Sequence, residues 1–339
     1  MHIFFERNRR ERAVGMAAAI LLLLVSEAAT AQFKSSSFVP YSSVSLGIGT
    51  SSYFGEMAPY KRPLASIFGM MRWNGTVNYA RHFTPRFGAR ASFTYARISG
   101  DDFKLNNNGK GYPIIFARNL HFRNDLKEFA LVGIYKIIPD SRSYDRRPQW
   151  SPYVFAGIAA VAHSPEARVP DLIGDQWVKL QPLGTEGQGS PGVDQKPYSL
   201  VTLAIPVGFG VRYKINQRFD VSAEIGVRLT TSNYLDDVGG YYADPNVLKD
   251  DLARAMANRS AEPTAARKGG DRTAGLRRFL DEQYGINDAA IDPFVAIGQT
   301  EYGTPGTLRG NPARNDVYVL GNIHLTYILG SPIKCPPLK

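Results

Sequence analysis

Two pairs of adjacent carboxylates stand out in this chain of 339 residues, Asp101-Asp102 and Asp236-Asp237. Paired carboxylates can bind a hard cation or share a proton in acid–base catalysis. Neighbours in sequence need not converge in space, however, and the same residues also close turns or pair with arginine. A glycine-rich run, Gly184-Thr185-Glu186-Gly187-Gln188-Gly189, has the outline of a phosphate-binding loop. It lacks the Gly-Lys-Ser/Thr ending and joins no strand to a helix, so it reads as a structured loop. The histidines are His2, His82, His121, His163 and His324, and none forms an H-E-x-x-H or similar ligand pair. Ser99, Asp101 and His163 supply the types for a nucleophile, an orienter and a base, but nothing in their spacing brings them together. The residues therefore assign no catalytic group, no metal ligand and no cofactor.

The elements that must position these residues begin after a leader. Arg7, Arg9, Arg10 and Arg12 precede an apolar run from Ala13 to Val25, and Ala29-Thr30-Ala31 has the A-x-A pattern of a cleavage site. Residues 1–31 read as a Sec-type signal peptide, with cleavage between Ala31 and Gln32. Beyond Val25 no stretch of 18 apolar residues follows, which leaves an exported soluble protein or a β-barrel, the other architecture that satisfies its backbone inside lipid.

Composition favours the barrel. The 18 Tyr, 18 Phe and 32 Gly suit pleated surfaces and tight turns. The net charge of +10 fits a protein facing an anionic lipid surface. Its basic residues are scattered among acidic ones, without a nucleic-acid-binding motif, so no nucleic-acid partner is expected. The single cysteine, Cys335, has no partner for an internal disulfide or a structural zinc site.

Eight segments alternate with a period of two. They are Tyr41 to Gly49, Met71 to Phe83, Arg86 to Ile98, Leu126 to Ile138, Pro152 to Ala162, Tyr198 to Lys214, Arg218 to Thr231 and Asp316 to Leu329. In the first, Val44, Leu46 and Ile48 oppose Ser43, Ser45 and Gly47; in the last, Val317, Val319, Gly321, Ile323, Leu325 and Tyr327 oppose Tyr318, Asn322, His324 and Thr326. The fourth segment is ambiguous, with apolar residues on both faces. The connections alternate too: those after the odd-numbered segments are long, and those after the even-numbered ones are short or moderate. An antiparallel barrel with both termini in the periplasm has this signature of short inner turns and long outer loops. The sequence thus predicts an all-β fold, an eight-stranded antiparallel transmembrane barrel over 32–329 in the outer membrane and in contact with its lipids, with a periplasmic tail over 330–339.

The last outer loop carries an insertion over 245–300 with helical signals. Asp244-Pro245 reads as a cap for a helix using Leu248, Leu252, Ala255 and Met256, and Thr273 to Tyr284 reads as a second helix stopped by Gly285. The polar stretch Arg259 to Arg272 between them is expected to be mobile. These helices would cover the barrel mouth, form a partner surface or sit as a solvated insertion.

Further segments carry a resemblance. They include Ser52-Tyr53-Phe54-Gly55-Glu56, Ile98-Ser99-Gly100-Asp101-Asp102, Arg118-Asn119-Leu120-His121-Phe122-Arg123-Asn124, Leu180 to Gly189, Asn233-Tyr234-Leu235-Asp236-Asp237-Val238 and Arg309-Gly310-Asn311-Pro312. The chain resembles the PorG-type outer-membrane barrels of the type IX (Por) secretion system of Bacteroidetes, over nearly all of its mature length. That resemblance implies a non-enzymatic barrel associated with a periplasmic ring, built from a lipoprotein and its partner, and required for cargo export. Topology adds an expectation of its own. The turn from Pro139 to Ser151, with Arg142, Arg146 and Arg147, faces the ring and is the candidate partner contact.

Overall fold

The structure, a computed structural model, describes residues 38–58, 63–106, 112–267 and 269–329. The expected leader, the Ala31–Gln32 cleavage pair, Cys335 and the tail 330–339 lie outside the described residues. Ten strands follow in order: β1 (Tyr41–Phe54), β2 (Arg72–His82), β3 (Phe87–Asp101), β4 (His121–Lys136), β5 (Trp150–Ala162), β6 (Pro165–Arg168), β7 (Trp177–Lys179), β8 (Val201–Lys214), β9 (Phe219–Thr230) and β10 (Val317–Leu329). Each pairs antiparallel with its neighbour, and β1 closes on β10, with Ser42 opposite Leu329 and Tyr53 opposite Tyr318. β3 pairs with β4, so eight strands complete a closed barrel, and β6 and β7 form an annex on the outer end of β4. Closure leaves no unpaired edge, which lipid requires.

The alternation decides which face is which. Leu46 and Ile48 are 67% and 76% exposed on the outside, whereas Ser43 is 4% exposed inside. Outward aromatic pairs bound the apolar belt: Phe87–Tyr135, Trp150–Tyr213 and Phe219–Tyr327 at the end of the short turns, and stacked Trp73–Tyr95 toward the other. On β3 the rise from Phe87 to Tyr95 spans roughly 20 Å at about 3.4 Å per residue and a ~40° tilt, close to the height of a lipid-facing band. No helix among the described residues is long and apolar enough to cross a membrane; the crossing is made by strands.

The fourth strand explains its own ambiguity. Outward it presents Phe129 and Leu131; inward it presents Leu126, Ala130, Val132 and Ile134, punctuated by Glu128 and Lys136. The interior of an eight-stranded barrel is filled by side chains, and part of that filling is apolar. β1, β3 and β4 also run further outward than the alternation predicts. Ile98 to Asp101 pair with His121 to Asn124 above the belt. There loops cover both faces, and Ile98, Ser99 and Asp101 are all buried whatever their parity. The period-two signal fades although the pairing continues.

Among the described residues the outer loops hold six helices: α1 (Pro63–Met70), α2 (Asp102–Asn106), α3 (Pro113–Arg118), α4 (Asp251–Ala257), α5 (Thr273–Tyr284) and α6 (Pro293–Ile297). α5 has the expected bounds, and Gly285 ends it in the left-handed conformation that favours glycine (φ 67°). α4 starts later than expected, because its cap is Asp250, which accepts from the Ala253 N–H at 2.7 Å. Asp244 instead closes a turn on Asn246. α1, α2, α3 and α6 were not anticipated. The stretch expected to be mobile is anchored at its ends. Arg259 and Arg272 are fully buried, donating to the Arg168 carbonyl at 2.7 Å and to the Ala117 carbonyl at 2.9 Å. These two carbonyls belong to other loops, so local polarity could not reveal them, while Glu262 and the Ser260 carbonyl complete the arginines' contacts from within the stretch. α5 and α6 pack Leu276, Phe279, Leu280, Ala296 and Ile297 on Ala117 of α3.

Candidate functional sites at the two mouths of the barrel

The outer mouth is sealed by the segment after β9. Leu235 and Val238, both 0% exposed, join Leu126, Phe155 and Leu320 in one apolar cluster at the top of the lumen. Asn124 of β4 donates to the Leu235 carbonyl at 2.7 Å, which fixes the segment to the wall. The last outer loop therefore covers the mouth and is not a detached insertion.

Around this seal lies a buried polar network that gathers every outer loop. Arg118 donates to both oxygens of Asp102 at 2.8 Å and to the carbonyls of Arg309 and Glu56. Arg309 pairs with Glu186 at 3.0 Å, donates to the Asp237 carbonyl and stands 3.6 Å from the Asp237 carboxylate. Asp237 also accepts from Thr185 at 2.5 Å and from Tyr198 at 2.7 Å. Burial pushes the Asp237 carboxyl up to about 6 against the pull of Arg309 and these donors.

Beside it, Glu56, Asp236 and Asp316 place ligand oxygens within 4.8 Å of one another. The Tyr53 hydroxyl lies 2.7 Å from both Asp236 and Asp316. A phenol has one proton to donate, so the second contact needs a protonated carboxyl. The electrostatics agree: burial first, then mutual repulsion, raises Asp236 and Asp316 well above the usual carboxylate range, and burial raises Glu56. Such a cluster has the oxygen donors that a hard cation takes, and equally those that shared protons need.

The candidate loop residues are thus drawn into one structure, where they cap, pair and pack. Asp101 accepts from the Phe103 and Lys104 N–H groups at the start of α2, while Asp102 pairs with Arg118. In the glycine-rich loop, Gly184 sits at φ 62° with the Gln188 carbonyl 2.3 Å from where a Cβ would lie, so only glycine fits. The N–H groups of Gly184, Gly187 and Gly189 donate to carbonyls within the loop region, and that of Glu186 to the Gln188 side chain, so they do not form a phosphate cradle. Tyr234 stacks on Tyr198 at 4.7 Å, and Tyr198 on His163 at 6.3 Å. No hydrogen bond links the Ser99 hydroxyl to the His163 ring, so the nucleophile–base arrangement is not assembled. Burial lowers His163 to about 4.

The opposite mouth is closed by the turn between β4 and β5. Its backbone is tied down by Asp140 N–H to the Pro85 carbonyl and by Val39 N–H to the Arg142 carbonyl. Asp140 accepts from Tyr41 at 2.6 Å and from Arg212 at 2.8 Å, and pairs with Lys136. Arg147 lies inside with 0% side-chain exposure, paired to Asp220 at 2.8 Å. This corrects the expectation for the turn. Arg142 and Arg146 are exposed and free to face the periplasm, but Arg147 is part of the floor. Burial opposes ionisation of Asp140, yet Lys136 and Arg212 hold it well below the ordinary carboxylate range. Between floor and cap the lumen carries Arg90 bidentate to Glu224, which also accepts from Tyr153 at 2.5 Å, and above them Arg228 paired to Glu128.

Sequence reasoning missed Tyr53, Glu56, Arg118, Arg309 and Asp316 as site residues. Arg118 and Arg309 lie in segments that carry the resemblance, but Glu186 is 123 residues from Arg309, a separation that leaves no local signal.

Residues 16–169 match a family described as Domain of unknown function (DUF6089). No curated protein matches the chain. Among solved structures, the chain is similar to Ail, the attachment invasion locus protein of Yersinia pestis, at 9% identity and a TM-score of 0.34, covering 86% of this chain and 99% of that one. It is also similar to Neisserial surface protein A, at 9% and 0.34, over 84% and 96%. A third is the outer membrane protein OprG from Pseudomonas aeruginosa, at 7% and 0.33, over 87% and 99%. The closed antiparallel pairing, the apolar exterior with its aromatic rims and the charged, hydrogen-bonded interior make this chain an eight-stranded outer-membrane β-barrel.

Proposed function

We propose that this barrel is a non-enzymatic component of a type IX protein secretion machinery, held in the outer membrane and in contact with a periplasmic ring of a lipoprotein and its partner. The observation that carries the reading is that side chains block the lumen and both mouths are covered. Such a barrel contributes surfaces, not a passage for cargo. The resemblance noted in the sequence supplies the machine. Exposed Arg142 and Arg146 supply cationic groups on the side where the ring lies. Support for a non-enzymatic role comes from the engagement of the paired carboxylates in caps and ion pairs and from the unlinked Ser99 and His163.

Secretion of type IX cargo in an in-frame deletion strain, with membrane integrity followed in parallel, tests the proposal. Cargo trapped in the periplasm behind a tight membrane is the expected result; normal export would sink it. A porin-like barrel shares the same fold and is distinguished by single-channel conductance, which the closed lumen predicts to be absent.

A further inference from the structure

Below the Glu128–Arg228 pair, the lumen holds a chamber of about 60 Å³. Its charged lining is Arg90, Lys136 and Arg212 against Asp220 and Glu224. The floor adds one further residue of each sign, Arg147 and Asp140. Four cationic side chains thus stand against three carboxylates, and one positive charge is left over. These side chains are at most 10% exposed. A buried charge without a counter-charge is costly, and folded proteins pair it.

The donors tell the same story. Arg90 uses its two terminal nitrogens on Glu224, and Arg212 directs its own to Asp140 and Tyr41. The Nε–H of Arg90 has no hydrogen-bond partner, and that of Arg212 stands 3.7 Å from Asp220 Oδ2, beyond hydrogen-bond reach. A guanidinium can only donate, so whatever fills the chamber must accept.

We infer that the lower lumen binds a small monovalent anion, a halide, held by Arg90 and Arg212. Water alone would satisfy the donors but leave the charge. The chamber has room for about two water-sized occupants, which excludes an anion as large as gluconate. The second place suits a water that donates both to the halide and to Asp220 Oδ2, which no hydrogen bond reaches although Arg212 Nε stands 3.7 Å away.

Anomalous diffraction from crystals of the full barrel grown in sodium bromide tests this directly. A bromine peak between Arg90 and Arg212 is expected. In solution, the denaturant midpoint should be higher in chloride than in gluconate at equal ionic strength. Chloride at ten times its Kd should raise the folded-to-unfolded ratio about tenfold. Ser43→Asp, which adds a carboxylate to the chamber wall, should abolish both the peak and the chloride dependence. If that variant does not fold, the bromide map and the salt comparison on the unaltered chain still decide. No peak, or equal midpoints in the two salts, overturns the inference; a peak with equal midpoints means binding at crystal concentration only.

Discussion

At the outer mouth carboxylates crowd together. Glu56, Asp236 and Asp316 gather around Tyr53, and Arg118 and Arg309 are engaged mainly by Asp102, Glu186 and Asp237. At the periplasmic mouth the balance is reversed, with Lys136, Arg147 and Arg212 surrounding Asp140 and Asp220. Both arrangements close the same lumen, but they respond to protons in opposite ways. Carboxyls whose folded value is raised contribute stability at low pH and lose it as pH climbs through that value; for Asp237 the window runs from near 3.8 to about 6. Asp140 is depressed, so its contribution is present above the ordinary carboxylate value and is lost as pH falls through its lowered one. Rising pH should therefore loosen the cap, and strong acid the floor.

The largest effect is expected at Arg309. Arg309→Met leaves Glu186 and Asp237 buried without their cation, a loss of about 3–5 kcal/mol. Limited proteolysis should then cut the outer loops while the barrel strands stay protected. Undiminished protease resistance would mean that apolar packing alone holds the cap. Arg147→Ala should cost less, about 1–3 kcal/mol in denaturant unfolding, because Arg212 still stands 3.7 Å from Asp220; an effect as large as that at Arg309 would erase the distinction between the mouths.

Next comes pH itself. After correction for intrinsic rates, hydrogen exchange in the segment 233–240 should be faster at pH 8 than at pH 5. Asp236→Asn should remove part of that difference, on the order of 1.4 kcal/mol for each unit by which the carboxyl is raised. Exchange that is equally protected at both values would place the protons elsewhere. Smallest in stability is the pair Arg142→Glu and Arg146→Glu, within about 0.5 kcal/mol as exposed sites. The same variants should weaken co-purification with the periplasmic ring, and unchanged recovery of ring proteins would remove this turn from the interface.

The barrel was legible because lipid imposes a rule on every strand. Val44, Leu46 and Ile48 could face only outward once Ser43, Ser45 and Gly47 faced in, and the short turns His82 to Pro85 and Asn216-Gln217 fixed the direction of each hairpin. Gly285 marked the end of α5 for an equally local reason. The cap was not legible. Arg259 and Arg272 looked like polar loop residues because nothing nearby in sequence reveals the carbonyls that bury them. Arg147 looked like its neighbours Arg142 and Arg146, and only the position of Asp220 under the lumen separates it from them. Local patterns report solvent and lipid; pairing across loops has to be seen in space.

Tyr53 stands at the top of the first barrel strand, and Asp316 at the root of the last, 263 residues later. The wall is closed by those same two strands, so the final seam and the carboxylate cluster become complete in one event. Until then the charged loops have no reason to shed their hydration, and afterwards they have no easy way to regain it. Contacts so distant in sequence form late and slowly. This hydrogen bond therefore couples the seam of the wall to the lid above it, and neither is complete without residues from both ends of the chain.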